Sequence, residues 1–142
     1  MEIKLHKLDE NAVVPTYGSK NAACLDLYAV DDVIIRPQAV RYIRSGWALA
    51  IPEGYEVNIV PRSGLACKKQ LIILNSPGVI DSDYRGEVYT YMKNVGEEIV
   101  MIQKGDRYAQ MSLKETIKVK FDIVDELNET ERSDGGFGST GR

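Results

Sequence analysis

The chain has 142 residues, with 18 Lys and Arg against 21 Asp and Glu and a formal net charge of −3. That length fits one domain, and a slightly acidic chain carries no basic field to draw in nucleic acid. No apolar run approaches the ~18 residues that span a bilayer, and the N-terminus lacks the apolar core of a signal peptide, so the expectation is a cytoplasmic protein without a membrane or nucleic-acid partner.

Residues 3–8 alternate apolar and polar, as a half-buried strand does, and the alternation turns His6, the only histidine, away from Ile3 and Leu5. One surface histidine leaves no room for Ser-His-Asp or Cys-His catalysis, or for zinc sites that need histidine. Pro15-Thr-Tyr-Gly-Ser19 reads as a loop and Cys24-Leu-Asp-Leu-Tyr-Ala29 as a second strand. Cys24 and Cys67 are too few for a disulfide framework and lack metal-ligand spacing. Residues 33–35 end at Pro37. Residues 40–51, rich in β-branched and aromatic side chains, close at the turn Pro52-Glu-Gly54, and residues 55–60 follow with period two. Residues 71–74, 87–92, 99–102, 108–113 and 117–124 continue the series, with turns at Asn94-Val-Gly96 and Lys104-Gly-Asp106. Short strands with a turn about every ten residues predict an all-β barrel or sandwich. One short helix is expected, over residues 63–69. Past Leu127, Gly, Ser, Thr and charge displace core residues, which predicts a β domain over residues 1–127 and a flexible tail over 128–142.

Neither Gly-x-x-x-x-Gly-Lys-Ser/Thr nor Gly-x-Gly-x-x-Gly is present, so candidate chemistry is read from smaller pieces. Asn75-Ser-Pro-Gly-Val-Ile-Asp-Ser-Asp-Tyr-Arg-Gly86 sets an Asn, two carboxylates, a tyrosine and an arginine between two strands. Pro77-Gly78 and Arg85-Gly86 punctuate it, making residues 79–84 a hairpin arm or tight bend. Gly78 lets backbone amides approach a flat ligand, Asp81 or Asp83 supplies a base, and Tyr84 a wall. Read alone, the stretch is more simply a polar hairpin tip with solvated acids. In Pro61-Arg-Ser-Gly-Leu65, Ser63 is placed to cap the short helix and Arg62 has bidentate reach toward phosphate; a capping serine beside a salt-bridged arginine is the simpler alternative. Gln110 occupies a strand position from which its amide either donates to a phosphate oxygen or faces solvent. Phe137 stands among glycines in Gly135-Gly-Phe-Gly-Ser-Thr-Gly141, a composition that suits a flap over a ligand, with a frayed terminus the simpler alternative.

Together these pieces are similar to the trimeric deoxyuridine triphosphate nucleotidohydrolases (dUTPases). That family's five ordered motifs are matched by Ala23-Cys-Leu-Asp-Leu27, Pro61-Arg-Ser-Gly-Leu65, the stretch from Asn75 to Gly86, Gly105-Asp-Arg-Tyr-Ala-Gln110 and Arg132-Ser-Asp-Gly-Gly-Phe-Gly-Ser-Thr-Gly-Arg142. The match covers nearly the whole chain. Two departures stand out: Cys24 replaces the usual Gly of the first motif, and Cys67-Lys-Lys-Gln-Leu71 lacks the usual Gly before its strand.

The resemblance implies a jelly-roll-like β-barrel forming a homotrimer. Each shared active site takes a base-binding hairpin from one subunit, phosphate-binding loops from a second and the tail from a third. The implied reaction is hydrolysis of dUTP to dUMP and pyrophosphate, which limits uracil incorporation into DNA and supplies dUMP for dTMP synthesis. Asp81 is the implied catalytic residue. Arg62, Ser63, Gly64, Asn75, Gly78, Val79, Ile80, Tyr84, Gln110, Arg132, Phe137, Gly138 and Ser139 are the implied substrate-binding residues. Asp26 is implied in a supporting role, either near the phosphates or metal waters or as a buried structural carboxylate. Mg²⁺ is the implied cofactor, held by substrate phosphates and water rather than directly by protein. Three alternatives are a dCTP deaminase of the same superfamily, marked by ammonia release, a dUTPase-fold regulatory binding protein, and a bare structural β-domain, marked by failure to bind dUTP. The complete tail motif and the intact Asp81 favour hydrolysis.

Overall fold

The computed structural model describes residues 2–136. Its elements run β1 Lys4–Lys7, β2 Thr16–Tyr17, β3 Leu25–Tyr28, β4 Val33–Ile35, β5 Val40–Ala50, β6 Tyr55–Pro61, α1 Ser63–Lys69, β7 Leu71–Ile73, β8 Gly78–Ile80, β9 Glu87–Asn94, β10 Val100–Ile102 and β11 Arg107–Glu115. One sheet has the order β1-β5-β9-β7 and the other β2-β3-β11-β6-β8, while β10 and β4 form a separate ribbon. The pairings are antiparallel. The chain is the all-β, jelly-roll-like barrel that the resemblance implies.

Period-two patterning decides which face each strand buries. In β9, Val88, Thr90, Met92 and Asn94 are buried while Tyr89 and Tyr91 face out. Leu27, Ile43, Val57, Leu71, Met92 and Tyr108, drawn from both sheets, pack in one core, and each such side chain contributes roughly 1.5–3 kcal/mol on burial. The alternation fails in β5, where Ser45 to Leu49 are all buried. A register shift against β9 falls between Arg44 and Ala48, and Trp47 packs with Ala12 and Val30 in a second, smaller core. Gly46 makes that bulge feasible: its φ is 74°, and a Cβ there would sit 2.6 Å from the Ala12 Cβ.

Two elements differ from expectation. Thr16 and Tyr17, expected in a loop, pair with Asp26 and Leu25 and so add an edge strand. Residues 117–124, expected as a strand, form none. Their alternation is real, but the described chain offers them no partner. Ile117, Phe121 and Ile123 are 85%, 91% and 96% exposed, and a strand needs a neighbouring ladder before its backbone groups are satisfied.

Tyr108 is wholly buried, and among the described residues neither its hydroxyl nor the Thr90 hydroxyl has a hydrogen-bond partner. Burial pushes the phenol pKa up, opposed by the nearby Thr90 hydroxyl. A folded value above the unfolded ~10 means that this group's contribution to stability is complete below pH ~10 and is lost as pH climbs beyond it. Tyr108→Phe is therefore expected to flatten the alkaline fall in melting temperature and to cost little at neutral pH. An unchanged alkaline slope in melts taken across that range would contradict the assignment.

Candidate active site

The strands β6, β8 and β9, with the bend between β8 and β9, enclose a cavity of about 290 Å³. Asn75, Gly78, Val79, Ile80, Asp81 and Tyr84 all line it, together with Ile59, Ile73 and residues 87–91. The cavity lies where both sheets run out of neighbours. β8 is the last strand of its sheet, and β7 pairs with β9 only from Met92 to Asn94. Free strand edges there leave backbone donors and acceptors for a planar ligand. The bend is closed by its own bonds: the Tyr84 amide donates to the Asp81 carbonyl (3.2 Å), and Arg85 Nη1 donates to the Ser82 and Tyr84 carbonyls (2.7 and 2.8 Å). Spacing alone left Asp81 and Asp83 equivalent. Asp81 lines the cavity and Asp83 is not among its walls.

A second cluster forms around Asp26. Thr16, Asp26, Gln110 and Val60 stand in register across four strands, on the face opposite Leu27 and Met111 of the core. Asp26 is nevertheless only 3% exposed, because side chains cover it. Its Oδ1 accepts from Arg62 Nε and Gln110 Nε2, each at 3.1 Å, and its Oδ2 accepts from Arg107 Nη1 at 3.1 Å. Arg62 Nη1 also donates to the Arg107 carbonyl at 2.9 Å. Two guanidinium groups on one carboxylate leave a surplus positive charge, and both arginines remain partly open to solvent. Such a cluster has the charge and the N–H groups that suit an anion.

Arg107 was not foreseen as a site residue. Strict alternation puts it on the same side as Ala109, toward the core; the irregularity in β11 between Arg107 and Ala109 turns it outward. The one available signal was its place in Gly105-Asp-Arg-Tyr-Ala-Gln110. Ser63 differs from expectation in another way. It opens α1 rather than capping it, and the cap position belongs to Arg62 (φ −77°, ψ 128°), which makes no side-chain cap bond. Arg62 instead donates from Nε to Asp26 and from Nη1 to the Arg107 carbonyl. Ser63 and Gly64 are exposed beside it. Arg132 lies apart from both clusters, with Nε donating to the Gly135 carbonyl at 2.9 Å. Phe137, Gly138 and Ser139 lie outside the described residues.

The two clusters occupy opposite faces of one sheet. Ile59, paired with Gly78, belongs to the row that lines the cavity, whereas its neighbour Val60 pairs with Gln110 in the Asp26 row. A cavity of that size, with free backbone edges and the carboxylates of Asp81 and Glu87 in its walls, and a cationic cluster of N–H donors on the other face of the same sheet are the two halves that a nucleotide-phosphate-binding enzyme needs.

A family model described as dUTPase matches residues 10–141. The chain is 49% identical over 142 residues to the deoxyuridine 5′-triphosphate nucleotidohydrolase of Hydrogenobaculum sp., covering 99% of each. It is 46% identical over 142 residues to that of Nautilia profundicola, covering 100% of each. Among solved structures, Staphylococcus bacteriophage 80alpha dUTPase with dUPNHPP matches at TM-score 0.91 and 27% identity, covering 99% of each chain. The chain belongs to the dUTPase family, and so is an enzyme of nucleotide hydrolysis.

Proposed function

We propose that this chain hydrolyses dUTP to dUMP and pyrophosphate, by attack of an Asp81-activated water on the α-phosphorus, in sites shared between copies of a homotrimer. The observation that carries the reading is the cavity that gathers Asn75, Gly78, Val79, Ile80, Asp81 and Tyr84. Backbone groups of β8 and the Asn75 amide pair with the uracil edge. Cytosine presents a donor where an acceptor is needed, leaving a buried group unpaired at ~1–3 kcal/mol. Tyr84 packs under the deoxyribose, where a 2′-hydroxyl collides with the ring. Asp81 orients the water and takes its proton.

The phosphates are met by Arg62, Arg107 and Gln110, held in place by Asp26, and by Ser63 and Gly64 beside Arg62. Arg132, Phe137, Gly138 and Ser139 belong to the tail that closes the site, Phe137 stacking on uracil. The Asp26 cluster offers N–H donors, which suit phosphate oxygens and cannot ligate a cation. Mg²⁺ therefore fits as an ion held by phosphate oxygens and water, where it neutralises triphosphate charge.

Sharing between copies is supported by the opposite-face placement of the cavity and the Asp26 cluster: side chains on the far face of a sheet reach a nucleotide in another copy's cavity. Self-association is supported also by the uncovered alternation of Ile117, Val119, Phe121 and Ile123. A further support is the outward cluster of Tyr42, Tyr89 and Tyr91, whose rings meet edge to face at 5.6–6.5 Å. In the cell the reaction would keep uracil out of DNA and supply dUMP for dTMP synthesis, in the cytoplasm.

The test is pyrophosphate release from dUTP, dTTP, dCTP and UTP, with and without a chelator, alongside sedimentation. Release from dUTP alone, abolished by the chelator, with a trimer in solution, is expected. A monomer inert toward dUTP, or ammonia released from dCTP, would overturn the reading. A chain ending at Glu131 is expected to remain a folded trimer and lose most of its turnover. Full turnover in that truncated chain would remove the tail from the site.

A further inference from the structure

Tyr84 sits in an unusually confined place for a half-exposed ring. Its hydroxyl donates to the Glu87 carbonyl at 3.1 Å. Glu87 is itself pinned, with Oε2 accepting from Arg44 Nε at 3.1 Å and Oε1 accepting from the Gly46 amide at 2.9 Å. The end of the ring lies directly over the Cα of Gly86. A Cβ built on Gly86 would overlap the Tyr84 hydroxyl oxygen and Cζ and approach Cε2 to 3.0 Å. Gly86 is not among the described glycines at positive φ, which are Gly46, Gly54 and Gly105. Alanine at position 86 is therefore compatible with the backbone, and the effect of its methyl falls on the ring. The ring is 41% exposed and hangs on two side-chain torsions, so it swings away at little cost to the fold.

We propose that Gly86 is a positioning residue for sugar selection: its missing side chain is the space that holds the Tyr84 ring against the cavity. The inference rests on Tyr84 as the wall that excludes a 2′-hydroxyl. If a methyl at position 86 displaces the ring, the wall is lost although Tyr84 is still present. Selectivity then depends on a residue that is not among the cavity walls.

The experiment compares four full-length proteins: the parent, Gly86→Ala, Tyr84→Ala and the double variant. Each is read by kcat and KM for dUTP and UTP and by thermal melting. Gly86→Ala is expected to melt near the parent and to lose about tenfold in preference for dUTP over UTP, mainly by gaining on UTP. In the Tyr84→Ala background, Gly86→Ala is expected to change nothing further, since no ring remains to displace. A Gly86→Ala protein with parental preference, beside a relaxed Tyr84→Ala, overturns the role of Gly86 alone. Parental preference in Tyr84→Ala overturns the sugar wall itself, and with it the proposal. If Gly86→Ala fails to fold alone but folds with Tyr84→Ala, the ring clash is confirmed. If both fail, Gly86 serves the backbone and the proposal falls.

Discussion

Asp81→Asn is expected to lower turnover of dUTP by about 10²–10⁴-fold with the fold intact, equivalent to roughly 3–5 kcal/mol of lost transition-state stabilisation. Asn keeps the size of the side chain and can still orient a water, but it cannot accept the proton. Asp81 is exposed at a bend held by backbone bonds, so the substitution removes little that stabilises the barrel. The loss should appear in the single-turnover rate, while affinity for a non-hydrolysable dUTP analogue moves only a few-fold. Asp83→Asn is the matched control two residues away, outside the cavity walls, and should turn over like the parent. If the two variants behave in reverse, the base is Asp83. If neither slows the reaction, the water is activated by some other group.

Asp26→Asn should act through different physics. Three donors converge on this buried carboxylate, and an amide can accept from Arg62 and Gln110 only by presenting its own N–H₂ toward Arg107. Breaking a fully buried pair costs about 3–5 kcal/mol. Here both guanidinium groups are partly solvated and can turn outward, so a loss of about 2 kcal/mol is expected. The larger effect is on the substrate: arginines released from Asp26 no longer point at one place, and misplaced positioning groups cost on the order of 10²-fold in kcat/KM. Urea unfolding and kcat/KM for dUTP check the two halves separately. A variant that loses stability but keeps kcat/KM would make Asp26 a structural acid only.

Much of the barrel could be read along the chain because period-two alternation is local. Residues 55–60, 87–92 and 108–113 carry their facing in their own order, and each lies within an observed strand. The cavity was legible for a similar reason, since the stretch from Asn75 to Gly86 brings its polar groups together by sequence proximity. What resisted reading depended on distant partners. Thr16 and Tyr17 become a strand only beside Leu25 and Asp26. Asp26 lies in an ordinary alternating run, and its burial is created by Arg62 and Arg107, 36 and 81 residues further on. Arg107 is turned outward by a one-residue irregularity that no periodicity announces. Gly86 reads along the chain as turn punctuation, and only the fold shows the Tyr84 ring lying over it.

The uncovered stretch from Ile117 to Leu127 also bears on how the protein comes to exist in a cell. It follows the whole barrel in the chain, so it leaves the ribosome when the rest can already be folded. If copies associate through it as proposed, it is a sticky apolar stretch until that contact forms, and the charges of Lys118, Lys120 and Asp122 interleaved with its apolar residues oppose random aggregation. In the proposed trimer, dilution would return it to water, so the resistance of this protein to heat is expected to rise with its concentration.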